Sequence, residues 1–197
     1  MRYPPDHKHQ TRKTLLEAAA QALRRDGPHR LGVARVMAEA GLTHGGFYAH
    51  FPSRDALISA GIGQMFEESR DRLPAISAER SAADNLTRFI DQYLSTLHRD
   101  ARSSGCPLPY LANDAPRLSA AARLQFARGV QGLTDRFAAL LDGIGQPEPE
   151  AEAASALSEM VGALTLSRAE PDPERSLRIL ETSRSRLLHR FGLEPRS

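Results

Sequence analysis

Two histidines, a threonine and a tyrosine crowd into one short stretch, Thr43-His44-Gly45-Gly46-Phe47-Tyr48-Ala49-His50-Phe51. Hydroxyl and imidazole groups are the donors and acceptors that meet phosphate oxygens and base edges. Phe47 and Phe51 are four apart, so both rings share one side of a helical turn. Thr43, His44, Tyr48 and His50 then lie elsewhere on its circumference, mostly outward. A polar and aromatic outer surface on so short a helix suits lying against a partner, not forming core.

The other reactive pair is Cys106 with His98 eight residues upstream. A thiol beside an imidazole can serve as nucleophile and base. Here Ser103-Ser104-Gly105 breaks the chain between them, and no third group is placed to orient the base. No nucleotide-binding glycine loop is present, and the seven histidines lack metal-ligand spacing. No catalytic residue, metal or cofactor is expected, and the chain does not read as an enzyme. The single cysteine excludes an intramolecular disulfide. Cys106 precedes Pro107 at the expected start of a short helix, behind Arg99 and Arg102. A helix start and nearby cations lower a thiol pKa, which makes Cys106 a candidate thiol sensor. The alternative is a buried, inert thiol.

The elements around the first stretch position it. In Val33-Ala34-Arg35-Val36-Met37-Ala38-Glu39-Ala40, the residues Val33, Val36, Met37 and Ala40 recur at the period of an amphipathic helix. Gly41 suits the left-handed residue at a helix end, and Thr43 offers an N-cap for the next helix. Helix, tight glycine turn and second short helix make a helix-turn-helix, whose second helix enters the DNA major groove.

Leu31 to Phe51, followed by Pro52-Ser53-Arg54-Asp55-Ala56-Leu57, resembles the DNA-binding motif of the TetR/AcrR family of bacterial transcriptional regulators. The Val-x-x-Val-Met-x-x-Ala-Gly-Leu-Thr run, the Gly-x-Phe-Tyr-x-His-Phe signature and the basic residue three after Phe51 carry the match. The resemblance implies that Thr43 and His44 head the recognition helix, near base edges and phosphate. It implies that Tyr48, His50 and Arg54 contact phosphate, while Gly45 lets the backbone come close to DNA. Arg35, on the preceding helix, is within reach of a base or a phosphate. Four positions depart from the family's common form: Gly32 replaces a capping hydroxyl, Gly46 and Ala49 replace larger base readers, and Ala34 offers no hydrogen bond. DNA binding is thus implied more firmly than any one operator, with DNA shape carrying part of the specificity.

Charge agrees with this. Residues 1–50 hold eight Lys and Arg against four Asp and Glu, and five of the seven histidines. The remaining residues hold eighteen against twenty, so a basic end sits on a slightly acidic remainder. A hydrophobic fraction of 41% and a charged fraction of 25% are ordinary for a globular chain. No apolar run approaches a membrane span and no signal peptide is visible, so a cytoplasmic location is expected.

The chain is expected to be all-α, with about nine helices. Residues 1–10 read as a flexible arm. A helix then opens at Thr11 or Thr14 and ends at Asp26-Gly27-Pro28, completing a three-helix DNA-binding unit over residues 11–70, motif 32–51. Ser53 caps a helix from Pro52 to about Leu73, ahead of Pro74. Residues 75–195 are read as a helical ligand-binding and dimerisation domain. It holds a helix from Ser81 to about Ala101 with Leu97 on its apolar face, and a long helix from Pro116. Two closing helices span roughly Glu150–Arg168 and from Asp172-Pro173-Glu174 onward.

The family resemblance implies a homodimer that binds a near-palindromic operator, most often as a repressor, and is released by a small apolar inducer. Phe66, Phe89, Tyr93, Tyr110, Phe126, Leu133 and Phe137 are the candidate pocket residues, with plain core as the alternative. Leu157, Val161, Leu164, Leu180 and Leu187 on the last two helices are the candidate dimer interface; again each stripe has its own core as the alternative. A helical interaction adaptor would explain the second domain but not the basic motif.

Overall fold

The computed structural model describes residues 5–72 and 79–193. Among these residues the chain is helical throughout and has no strand. The α-helices are α1 (Pro5–Arg30), α2 (Val33–Glu39), α3 (Arg54–Arg72), α4 (Ala82–Tyr93), α5 (Thr96–Asp100), α6 (Leu108–Leu111), α7 (Ala120–Asp142), α8 (Pro149–Ala169) and α9 (Pro173–Arg190). Two 3-10 helices, His44–Ala49 and Ala115–Arg117, complete the set. The expected helix end at Leu73 and Pro74 lies outside the described residues.

The contacts divide the chain into two compact units: residues 1–68 with 106–129, and residues 69–105 with 130–197. The division runs through α3 and α7. Residues 106–129, expected in the second domain, therefore pack with the N-terminal residues.

In the first unit α1 begins at Pro5, inside the segment read as an arm. Proline at a first helical position loses no bond, because that N–H has no partner in the helix anyway. Gly27 interrupts α1 with φ 75° and ψ 169°, where the Asp26-Gly27-Pro28 stop was expected. Leu15, Ala19 and Leu23 of α1, Val36 and Met37 of α2, Phe47, Phe51, and Leu57 and Ile62 of α3 form the core. Gly61 sets how closely α3 crosses α1. A Cβ there would lie 2.9 Å from Leu23 Cδ1 and 3.3 Å from Ala19 Cβ. The segment Cys106–Gly129 closes the same unit: Phe126 meets Phe66 edge-on, with ring centroids 5.8 Å apart.

In the second unit α8 and α9 form an antiparallel hairpin. Asp172 caps α9 by accepting the Arg175 N–H at 2.9 Å, and Pro173 and Glu174 follow as expected. Between the helices Ser167 and Ser176 exchange hydroxyl–carbonyl bonds of 2.9 and 2.7 Å. The expected single helix from Ser81 to Ala101 is two. Ser81 caps α4 through the Asp84 N–H, and α4 stops at Leu94. Ser95 then starts α5 by accepting the His98 N–H at 3.1 Å. A serine side chain that caps competes with continuing the helix. The break turns Leu97 outward, 83% exposed, away from the apolar face expected for it. Likewise α7 starts at Ala120, not Pro116, because Leu118 is extended at ψ 157°.

Candidate nucleic-acid interface

The turn between α2 and the first 3-10 helix is built as the sequence requires. Gly41 takes φ 71°, a left-handed conformation that costs glycine least. The N–H groups of Gly41 and Leu42 bond back to the carbonyls of Ala38 and Met37 at 3.0 and 2.8 Å. Thr43 is extended and occupies the cap position, but its side chain makes no cap bond. Its carbonyl serves instead, accepting the Gly46 N–H at 3.1 Å. The six residues His44–Ala49 then wind as a 3-10 helix, not an α-helix. Two adjacent glycines favour this, since each weakens an α-helix by about 1 kcal/mol relative to alanine.

Burial sorts this element into two faces. Phe47 and Phe51 are each 2% exposed and stack at 6.1 Å between centroids. Tyr48 is 73% exposed, its ring set edge-on to Phe47 at 5.2 Å. Thr43, Gly45 and Ala49 are also exposed, and His50 is half-buried. The surface offered outward is thus a phenol, a threonine hydroxyl and bare backbone at Gly45, where a Cβ would meet nothing within 4 Å. His44 opens the helix at its start.

The basic residues differ from one another. Arg35 is exposed and sits in a surface ion-pair group. It bonds Glu39 at 2.9 Å and lies 3.4 Å from Asp26, while Arg25 pairs with the same two carboxylates. The Arg25 hydrogen bond holds the Asp26 carboxyl below its usual pKa. Such exposed pairs are each worth less than about 1 kcal/mol, so Arg35 is able to exchange partners. Arg54 is otherwise placed. It donates from Nε to the Leu31 carbonyl at 2.9 Å, and from Nη2 to the carbonyls of His29, at 3.0 Å, and Pro28. Arg12 escaped the sequence reading altogether. It donates to the His50 carbonyl at 2.7 Å and its guanidinium lies 4.4 Å from the centre of the Phe51 ring. Its only sequence signal was a cation on the first helix of a basic segment.

Residues 15–60 match the family model described as bacterial regulatory proteins of the tetR family. Over this N-terminal segment the chain resembles the TetR/AcrR family. Its relatives include the HTH-type transcriptional repressor NemR of Escherichia coli strain K12, 25% identical over 127 residues. That match covers 64% of this chain, and the chain spans 64% of the relative's length. In three dimensions the chain is similar to the reduced form of E. coli NemR, with a TM-score of 0.80 at 22% identity, covering 92% of this chain and 96% of that one. A TetR transcriptional regulator from Chloroflexus aurantiacus gives 0.80 at 21% identity, covering 95% and 96%. A TetR-family regulator from Agrobacterium tumefaciens gives 0.76 at 20%, covering 93% and 98%. The family and these relatives are regulators, not enzymes.

Of the pocket residues, Phe89, Tyr93, Leu133 and Phe137 are buried in the second unit. There Phe89 stacks on Tyr93 at 6.3 Å and meets Phe137 edge-on at 5.1 Å. Phe66, Tyr110 and Phe126 belong to the first unit. The Phe66 ring lies over Gly129, where any Cβ would be 2.2 Å from it. The structure therefore distributes these seven residues over two cores.

The candidate dimer residues lie on α8 and α9. Leu157, Leu164, Leu180 and Leu187 are at most 3% exposed within the single chain, and Val161 is half-buried. The four leucines are thus covered within the chain, where α8 and α9 pack on each other and on α5 and α4. Amphipathic spacing tells which residues share a face, but not which neighbour covers it. The outward apolar residues are Leu166, 62% exposed, and Leu177, 38% exposed.

Cys106 is 1% exposed, so its thiol is core. The helix after it, α6, has only four residues, too few for a large helix dipole to act on the thiol. His98 is separate from it in role. Burial pushes the His98 imidazole down to about 4, against its bond to the Tyr93 carbonyl and with added repulsion from Arg168 and Arg72. Its Nδ1 donates to that carbonyl at 2.8 Å. Among the described residues no group of three or more His, Cys, Asp or Glu could hold a metal ion. No described helix is long and apolar enough to cross a membrane.

Proposed function

We propose that the protein is a cytoplasmic DNA-binding repressor that uses the outward face of the 3-10 helix His44–Ala49 to read an operator. The observation that carries this is the two-faced burial of neighbouring aromatics. Phe47 at 2% and Tyr48 at 73% exposure fix one face inward and leave a large polar-tipped ring outward. An exposed tyrosine beside exposed Thr43 and backbone at Gly45 is a surface made for phosphate and base edges. Thr43 and His44 read bases, while Tyr48 and His50 fix register on the phosphates and Arg35 adds a nearby cation.

The operator-bound form is a homodimer, and a small apolar inducer inserting among the aromatic side chains releases it. Support for the dimer comes from the outer surface of α8. Ala151, Ala154, Ser155, Ser158, Thr165 and Leu166 are exposed along it. The Ser158 and Thr165 hydroxyls bond back to the carbonyls of Ala154 and Val161, which leaves a smooth face of small residues around Leu166. With Leu177 of α9 this is the surface assigned to the partner subunit.

The test is selection of double-stranded DNA from a random pool by the full chain. Enrichment of a near-palindromic sequence, with its preferred base altered in His44→Ala, supports the reading. No enrichment would favour an interaction adaptor.

Thiol control by Cys106 is a second reading, prompted by the relative whose structure is of a reduced form. A thiol 1% exposed must be uncovered before it reacts. Labelling of the native protein at neutral pH, read together with DNA release, decides it. Fast labelling that releases DNA, absent in Cys106→Ser, supports a sensor. Slow labelling returns the residue to the core.

A further inference from the structure

Arg54 occupies a position where the family resemblance implies a phosphate contact, yet its guanidinium is spent on protein. Its Nε and Nη2 donate to the carbonyls of Leu31, His29 and Pro28. Two of those carbonyls end α1, and the third, of Leu31, lies in the turn to α2. Gly32, the N-cap of α2, has no side chain to bond the helix start, and the first turn of α2 holds no acid. The turn also follows Gly27, whose φ of 75° lets the chain change direction there. Arg54 is the first residue of α3, immediately after the Phe51-Pro52-Ser53 exit from the 3-10 helix. One planar fork thus joins the end of α1, the entrance of α2 and the start of α3. The recognition element lies between the last two.

We propose that Arg54 is a positioning residue for DNA reading: it holds the α1–α2 turn against the start of α3 and thereby fixes the aim of the 3-10 helix, without itself contacting phosphate. The inference rests on the DNA-binding reading above. It makes a demand that a phosphate contact does not. Arginine presents several N–H donors in one rigid plane, whereas lysine offers a compact point charge. A phosphate contact therefore survives Arg54→Lys in large part. Carbonyls from three residues do not stay gathered by a single ammonium. The two roles also differ in what they do to non-specific DNA, whose affinity comes from phosphate contacts alone.

The experiment measures affinity of the wild type, Arg54→Lys and Arg54→Ala for the selected operator and for unrelated duplex DNA. Amide hydrogen exchange of residues 29–51 is followed on the same samples. The expected result is a fall of about tenfold or more in operator affinity in both variants. Unrelated duplex is held within about threefold of wild type, and exchange is faster in residues 29–51 than in α8 and α9. Arg54→Lys with wild-type operator affinity and wild-type exchange would overturn the proposal. So would a parallel loss of both affinities in Arg54→Ala with a salt slope shallower by about one, the mark of a lost phosphate contact. If Arg54→Ala fails to fold, Arg54→Lys decides. If the wild type selects no DNA, the DNA-binding reading fails; exchange in residues 29–51 still decides whether Arg54 holds this segment.

Discussion

The recognition element and the α8–α9 hairpin are stabilised in opposite ways. The hairpin consists of helices of 21 and 18 residues whose apolar seam is sealed within one chain. Each fully buried leucine of that seam contributes roughly 1.5–3 kcal/mol. The recognition element is six residues of 3-10 helix with two glycines. It has two rings in the core and its C-terminal end tied by a side chain from elsewhere, Arg12 on the His50 carbonyl. A short, weakly self-stabilised element can expose most of its surface and still be aimed, provided its anchors are outside it. A long self-sufficient hairpin can spare one outer face for a partner. In the proposed function, stability and recognition are carried by different residues even where they are adjacent in sequence.

The largest effect should separate seam from outer face in the hairpin. Leu164→Glu or Leu187→Glu would bury a charge at a site now 0% exposed. Each should cost about 3–5 kcal/mol and unfold the second unit, not merely split a dimer. Leu166→Glu, on a residue 62% exposed, should leave the urea midpoint of the monomer within about 0.5 kcal/mol of wild type. In light scattering it should abolish the dimer. Equal stability losses at Leu164 and Leu166 would break the distinction between seam and outer face.

The same contrast holds between neighbours in the recognition element. Phe47→Ala should cost about 3 kcal/mol of stability, since a buried ring leaves a cavity. Tyr48→Ala should leave thermal unfolding nearly unchanged and weaken DNA binding roughly tenfold, the worth of about one hydrogen bond to a charged group.

Acid should act on the second unit through His98. Its folded-state value of about 4 lies below the ordinary 6.5. The unfolded chain therefore binds the proton more readily, so stability falls as pH drops through the window from 6.5 to 4 and levels off below it. The loss is on the order of 2 kcal/mol after allowance for residual solvent exposure. Urea midpoints at pH 7 and pH 4.5 should differ less in His98→Gln than in wild type. An equal difference would assign the acid sensitivity elsewhere. The smallest effect belongs to the exposed His29–Asp114 pair, 3.6 Å apart. Asp114→Asn should change stability by less than about 1 kcal/mol.

The fold was largely legible because its signals are local. The period of Val33, Val36 and Met37, the glycine at 41 and the Asp172-Pro173-Glu174 start each act within a few residues. What was illegible depends on distant partners. The sequence shows that Leu157, Leu164, Leu180 and Leu187 share faces, but the hairpin that seals them is a tertiary fact. Arg54 reads as a phosphate contact because its basic charge fits; only the carbonyls of residues 23 to 26 positions earlier reveal the other use. Ser95 looked like a polar residue within one helix until its hydroxyl was seen to cap the next. The packing of residues 106–129 with the N-terminal unit leaves no local sequence signal at all.

In the proposed function the outward face of His44–Ala49 reads DNA while its inward face only holds it in place. Quantitative binding of the selected operator by wild type, Tyr48→Ala and His44→Ala tests it most directly, with unrelated duplex as reference. Tyr48→Ala should weaken operator and unrelated duplex alike, His44→Ala should change the preferred base, and both variants should unfold like wild type. Unchanged affinity and unchanged base preference in both variants would contradict it.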